Sequence, residues 1–224
     1  MDIRDKAQLE KAKLEDTLIE LIYGTYKDIV LHGGTAIWRC YAGNRFSRDL
    51  DFYFKKGERS ESACYKELIE FFKEKGFALK SSNYDNTTKT MHFTVESNIK
   101  MNVDINFNYK AGAPSEFTKV DDSKIIVLAL NPEVLLDEKI ETYYSKLHNK
   151  DETRQPEAQD LYDIYYLIGI IPKIKDGTKR ELVRLVSDIE NKPPLNMPKL
   201  SNLVLHGLPP TFELMIKKIK DVAK

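Results

Sequence analysis

A chain of 224 residues, 42 % hydrophobic and 31 % charged, is long enough for one large domain or two small lobes and has an ordinary globular composition. Its 35 Lys/Arg balance 35 Asp/Glu, and no apolar run approaches the roughly 18–20 residues that cross a bilayer. The N-terminal stretch MDIRDKAQLEKAKLED is charged throughout, so neither a membrane span nor a secretory leader is expected, and a cytoplasmic location is.

Residues 6–23 carry Leu9, Leu14, Leu18, Ile19, Leu21 and Ile22 at three- to four-residue spacing, which predicts a helix. Ile29-Val30-Leu31 is a short apolar run that stops at Gly33-Gly34, the pattern of a buried strand entering a tight turn. A short helix is expected over 35–41. From Asp49 to Phe54 the alternation is strict: Asp49, Asp51 and Tyr53 on one face, Leu50, Phe52 and Phe54 on the other. An amphipathic helix is expected over 60–75, then strands near 77–81 and 89–96. Met101 to Asn108 reads as the clearest strand, with Met101, Val103, Ile105 and Phe107 alternating with Asn102, Asp104, Asn106 and Asn108. A strand near 125–130 ends at Asn131-Pro132, where proline opens a helix. The rest is helical in pattern, at about 132–148, 157–170, 177–190 and 211–222. The expected organisation is α+β, with a mixed core lobe over 1–130 and a helical lobe over 131–224.

The zero net charge hides an asymmetry. Residues 171–224 hold eleven Lys/Arg against six Asp/Glu, an excess of five positive charges that the rest of the chain must offset. This arrangement suits an enzyme with metal at one end and a polyanion at the other, and it also suits a solvated lysine-rich surface. Cys40 and Cys64 lack metal-ligand spacing, and His32, His92, His148 and His206 form no His-x-x-x-His, which argues against zinc.

The chemistry concentrates in His32-Gly33-Gly34-Thr35 and Ser47-Arg48-Asp49-Leu50-Asp51-Phe52. Two glycines let the backbone turn sharply and approach a ligand closely. A helix that begins there points its free N–H groups at the turn, which makes a phosphate cradle. Asp49 and Asp51 are two apart on a strand and share a face, where two carboxylates are costly without a cation. Mg²⁺ or Mn²⁺ would neutralise them, and Asp104 is a candidate third ligand for a two-metal site. The competing reading of each piece alone is a plain turn and a solvated edge.

Together these segments resemble the first motif of the AbiEii/AbiGii nucleotidyltransferase toxin family: Gly33-Gly34-Thr35-Ala36, a spacer containing Arg45, then Ser47-Arg48-Asp49-Leu50-Asp51-Phe52. Asp137-Glu138-Lys139-Ile140 resembles the family's Glu-Lys helix. Arg154 followed by Ala158-Gln159-Asp160-Leu161-Tyr162-Asp163-Ile164-Tyr165 resembles its second acidic helix, with Gln159 where the family usually has a basic residue. The resemblance runs from about residue 29 to 170. It implies a polymerase-β-like nucleotidyltransferase core followed by a helical lobe. It also implies Asp49, Asp51, Asp104 and Asp160 as catalytic residues, the first three as metal ligands. Gly33, Gly34, Thr35, Lys139, Arg154 and Asp163 would bind the nucleotide. A structural ion pair of Asp163 with Arg154 or Lys139 is the alternative. The implied role is a toxin with an antitoxin partner, using Mg²⁺ (or Mn²⁺) to pass NMP from an NTP to an acceptor. That acceptor is expected to be RNA, with the tRNA 3′ end leading and Lys217, Lys218 and Lys220 holding its backbone. Phosphotransfer to a protein hydroxyl and a non-catalytic nucleotide-binding module are the alternatives. The presence of both Asp49 and Asp51 argues against the second. Ser47, two residues before Asp49, is a candidate regulatory phosphorylation position, with a turn-capping serine as the competing reading.

Overall fold

The two-residue apolar alternation of the first part of the chain builds a seven-stranded sheet in the computed structural model, which describes residue 3, residues 5–149 and residues 155–224. By internal contacts the chain divides into two units. One spans Met1–Ala42 and Phe46–Leu130, the other Gly43–Arg45 and Asn131–Lys224.

The first unit opens with α1 (Lys6–Thr25), which starts where the Asp5 carboxylate accepts the Gln8 N–H at 2.9 Å. There follow β1 (Ile29–His32), α2 (Gly33–Cys40), β2 (Asp49–Phe54), α3 (Glu61–Glu74), β3 (Ala78–Asp85), β4 (Thr90–Glu96), β5 (Lys100–Asn106), β6 (Ala113–Thr118) and β7 (Lys124–Ala129). The strand order is β3-β4-β5-β2-β1-β7-β6. β2 pairs parallel with β5 and antiparallel with β1, so the sheet is mixed. β6 was not expected. Its Pro114 and polar residues weaken the alternation, and it pairs only with β7 as an edge strand, where proline is tolerated. α2 begins two residues earlier than the sequence predicts, because Gly33 and Gly34 form its first turn.

One sheet face is apolar and closed. Leu50, Phe52, Met91, Phe93, Val95, Met101, Val103 and Ile105 are all buried. Truncating a side chain such as Phe52 to alanine would cost about 3–5 kcal/mol. The alternate positions on β4, β5 and β2 form the opposite face, with His92, Thr94, Asn102, Asp104, Asp49 and Asp51 in register beside one another.

The second unit contains α4 (Pro132–Leu147), α5 (Ala158–Ile170), α6 (Asp176–Asn191), a 3-10 helix (Met197–Asn202) and α7 (Phe212–Ala223). α4 and α7 pack on α5, and α6 packs on α4 and α7. α5 is buried along most of its length, including Leu161, Tyr162, Ile164, Leu167 and Ile168. Among the described residues no helix is long and apolar enough to cross a membrane.

Candidate active site

The turn between β1 and α2 is built around a glycine that cannot be replaced without strain. Gly33 has φ +70°, and a Cβ there would collide with the Asp51 carboxylate. The side chain of Asp51 therefore lies against the first turn of α2. Thr35 is fully buried, and its Oγ1 donates to the Asp49 carbonyl at 2.7 Å, fastening α2 to β2. Gly33, Gly34, Thr35, Asp49 and Asp51 are thus brought together, with the α2 N-terminus among them.

Asp104 joins them from the neighbouring strand. It is the register partner of Asp51 across the parallel β2–β5 pair, and Asn102 is the partner of Asp49. Asn102 Nδ2 donates to Asp49 Oδ1 at 3.0 Å. Asp104 Oδ1 lies 2.9 Å from His92 Nδ1, its own register partner on β4. Burial pushes the Asp104 carboxyl up, and the hydrogen bond and charge of His92 oppose that. His32, the β1 partner of Asp51, stacks on Tyr53 with ring centroids 4.1 Å apart.

The donor chemistry of Asp49, Asp51 and Asp104 is all-oxygen and fits Mg²⁺ or Mn²⁺. Gly33 leaves the Asp51 carboxylate the space it needs. Among the described residues, however, no three His, Cys, Asp or Glu side chains converge as a ready metal cage. Asp104 is held instead by His92, consistent with repulsion between adjacent carboxylates.

A second acid lies deeper. Glu15 on α1 is fully buried, among the described residues neither of its carboxylate oxygens has a hydrogen-bond partner, and desolvation pushes its carboxyl up to about 8. Arg39, Lys11 and Asp49 are close enough to influence it. Arg39 is itself buried, pairs with Asp16, and lies over the Trp38 and Phe117 rings. Ser47 is only 6 % exposed. A modifying enzyme would reach this hydroxyl only after local opening, which weighs toward the turn-serine reading over a phosphorylation switch.

In the helical unit the expected residues meet in two ionic clusters. Asp163, its side chain 3 % exposed, accepts from Arg45 Nε and Nη2 at 2.8 and 2.7 Å and from Lys139 Nζ at 2.8 Å. Desolvation works against its charged form, but Arg45 and Lys139 prevail and hold the carboxyl down at about 2. Asp160 accepts the Glu157 N–H at 2.8 Å in a capping box, and Lys146 Nζ lies 2.8 Å from both its oxygens. Arg154 lies outside the described residues.

The basic end of the chain is less available than the sequence suggests. Lys218 Nζ sits 4.2 Å from the Tyr165 ring centroid, in the notch left by Gly169, where a Cβ would strike it. Lys220 pairs with Glu190 at 2.7 Å.

A family model described as nucleotidyl transferase AbiEii toxin, type IV toxin–antitoxin system, matches residues 24–221. The chain belongs to this family. The resemblance seen in its motifs is thereby borne out, and with it the coarse activity of a nucleotidyltransferase toxin. The fold is similar to that of JHP933 from Helicobacter pylori (TM-score 0.62, 19 % identity, 98 % of this chain and 91 % of that one). It is similar as well to MenT4, a nucleotidyltransferase toxin of Mycobacterium tuberculosis (TM-score 0.61, 17 % identity, 97 % and 84 %). At these identities the likeness is one of fold, and it bears out the α+β nucleotidyltransferase architecture. Among curated protein sequences none matches.

Four residues acquire roles that sequence reasoning did not give them: Arg45, His92, Asn102 and Glu15. His92 and Asn102 carried a signal, since each falls on the polar phase of an alternating strand. Arg45 was marked only as part of the motif spacer and Glu15 not at all, because the Asp163 partner of Arg45 is distant in sequence and Glu15 has no hydrogen-bond partner among the described residues.

Proposed function

We propose that the Gly33 turn and the β2 carboxylates form a nucleotidyl-transfer site, at which NMP passes from an NTP to an acceptor hydroxyl and pyrophosphate leaves. The observation that carries this reading is the fit of the Asp51 carboxylate against Gly33, with Asp49 on the same strand face and Asp104 in register beside them. Asp49 and Asp51 would hold Mg²⁺ or Mn²⁺, with Asp104 as third carboxylate; the ion would polarise the α-phosphate and offset its developing charge. The free N–H groups of the first turn of α2, at Gly33, Gly34 and Thr35, would receive phosphate oxygens.

Lys139 would neutralise the triphosphate. Its place beside Leu135 and Tyr143, at the margin of the buried stripe of α4, supports this, because a lysine there either reaches water or meets an anion. Arg45 pairs with Asp163 through two parallel bonds, so Asp163 stays neutralised when Lys139 turns to a phosphate. Asp163 and Arg154 belong to the nucleotide side of this reading, and Asp160 to its catalytic set, by the family pattern. The capping box and Lys146 are the partners Asp160 has here.

The acceptor is RNA in this proposal, with the tRNA 3′ end first. The basic excess of residues 171–224 supports it. Lys217 is the best remaining contact, since Lys218 and Lys220 are engaged. The setting is a cytoplasmic toxin with a cognate antitoxin. The test is incubation with total tRNA and each α-labelled NTP in turn. Label should enter RNA with the wild-type chain and not with Asp51→Ala. Label entering protein from γ-labelled NTP instead would replace nucleotidyl transfer with phosphotransfer.

A further inference from the structure

The polar face of β3, β4 and β5 is furnished mainly with amides and hydroxyls. Ser81 donates to Thr94 at 2.9 Å, Thr94 to Asn102 at 3.3 Å, and Asn102 to Asp49 at 3.0 Å, a chain of side chains running across four strands to a carboxylate of the proposed site. One register step along, an imidazole takes the place of the hydroxyl. His92 on β4 faces Asp104 on β5, which faces Asp51 on β2.

We infer that His92 is a positioning residue for Asp104, fixing the carboxylate through Oδ1 so that Oδ2 is the atom presented to the site. The inference rests on the reading of Asp104 as its third carboxylate. Three observations carry it. The contact is a true hydrogen bond, Nδ1 to Oδ1 at 2.9 Å between register partners, so backbone pairing holds both residues in place. Among the described residues neither side chain makes another hydrogen bond, which leaves Asp104 Oδ2 and His92 Nε2 open. Asp51 and Asp104 are adjacent in register, where two carboxylates repel and an untethered Asp104 would turn away. A ring N–H bound to one oxygen sets the orientation of the carboxylate plane, just as outer hydrogen-bond partners orient ligating carboxylates elsewhere.

A double-mutant cycle on the full chain tests this, read by Mn²⁺ affinity of the metal-free protein and by transfer rate. His92→Ala should weaken Mn²⁺ binding and lower kcat by about 10–100-fold, the usual range for such a partner, with a smaller change in KM for NTP. His92→Asn should recover much of the loss, because its amide can place an N–H near the position of Nδ1. In an Asp104→Asn background, His92→Ala should change Mn²⁺ affinity no further, because an effect exerted only through Asp104 disappears with it. The melting temperature of His92→Ala should equal wild type, since the pair is more than a third exposed. Wild-type Mn²⁺ affinity and kcat in His92→Ala, with both lost in Asp104→Asn, would overturn the role of His92 and leave that of Asp104 standing. Wild-type values in Asp104→Asn would remove the third carboxylate itself, and the inference with it.

Discussion

Gly33 and Asp51 share a space that holds only one of a Cβ and a carboxylate, so the glycine is a requirement of the acid. Gly33→Ala forces a left-handed backbone at a cost of roughly 1–2 kcal/mol and displaces the Asp51 side chain as well. Transfer should fall to the level of Asp51→Ala, with a measurable loss in urea stability. Full transfer by Gly33→Ala would show that the carboxylate need not lie against the turn. Glu15 makes a separate prediction about stability. Its folded carboxyl is raised from about 4.5 to about 8, so between those values the folded chain keeps a proton that the unfolded chain releases. Stability should therefore fall as pH rises from about 4.5 to about 8 and level off above. Glu15→Gln should flatten that slope, and urea melts across this range check it. An unchanged slope in the variant would mean that Glu15 is not the titrating group. The role of Glu15 was not legible in the sequence, where it is one acid among many in a charged helix.

At the scale of elements, the Arg45–Asp163–Lys139 cluster binds the short segment Gly43–Arg45 to α4 and α5 within the helical unit. Removing one member of a buried ion pair leaves a charge uncompensated, at a cost of about 3–5 kcal/mol. Asp163→Ala, which strands Arg45 and Lys139 together, should lower the urea midpoint accordingly, and an unchanged midpoint would contradict the burial of the cluster. The Asp163 carboxyl is held at about 2 against its ordinary 3.8. Its contribution is thus complete above about 3.8 and lost as pH falls through about 2. α7 gives a second contrast. Lys217→Glu should weaken RNA binding and reduce its salt dependence, whereas Lys218→Glu should chiefly destabilise the helix by stripping the cation from Tyr165. Filter binding at several salt concentrations, paired with thermal melts, separates the two.

The strands and helices with clear periodicity were legible: β2 at Asp49–Phe54 and α4 at Pro132–Leu147 lie within a residue of expectation. β6 was hidden by Pro114, and the start of α2 by glycines whose turn is itself helical. The side chains that meet at the candidate site were legible wherever spacing placed them on one face, as with Asp49 and Asp51. Partnerships made by sheet register or across helices, such as His92 with Asp104 or Arg45 with Asp163, depend on which elements become neighbours, and no local pattern encodes that.

For the whole molecule, the zero net charge conceals an acidic front and a basic end, and the family places a nucleotidyltransferase toxin in that chain. Asp49 and Asp51 are the carboxylates on which the proposed transfer of NMP from an NTP to the acceptor depends. The most direct test of that dependence is a parallel assay of wild type, Asp49→Ala and Asp51→Ala with α- and γ-labelled NTP and total tRNA. Wild type should place α-label in RNA and no γ-label, and neither variant should incorporate label while keeping the wild-type melting temperature. Equal incorporation of α-label by wild type and by folded Asp51→Ala would contradict that dependence.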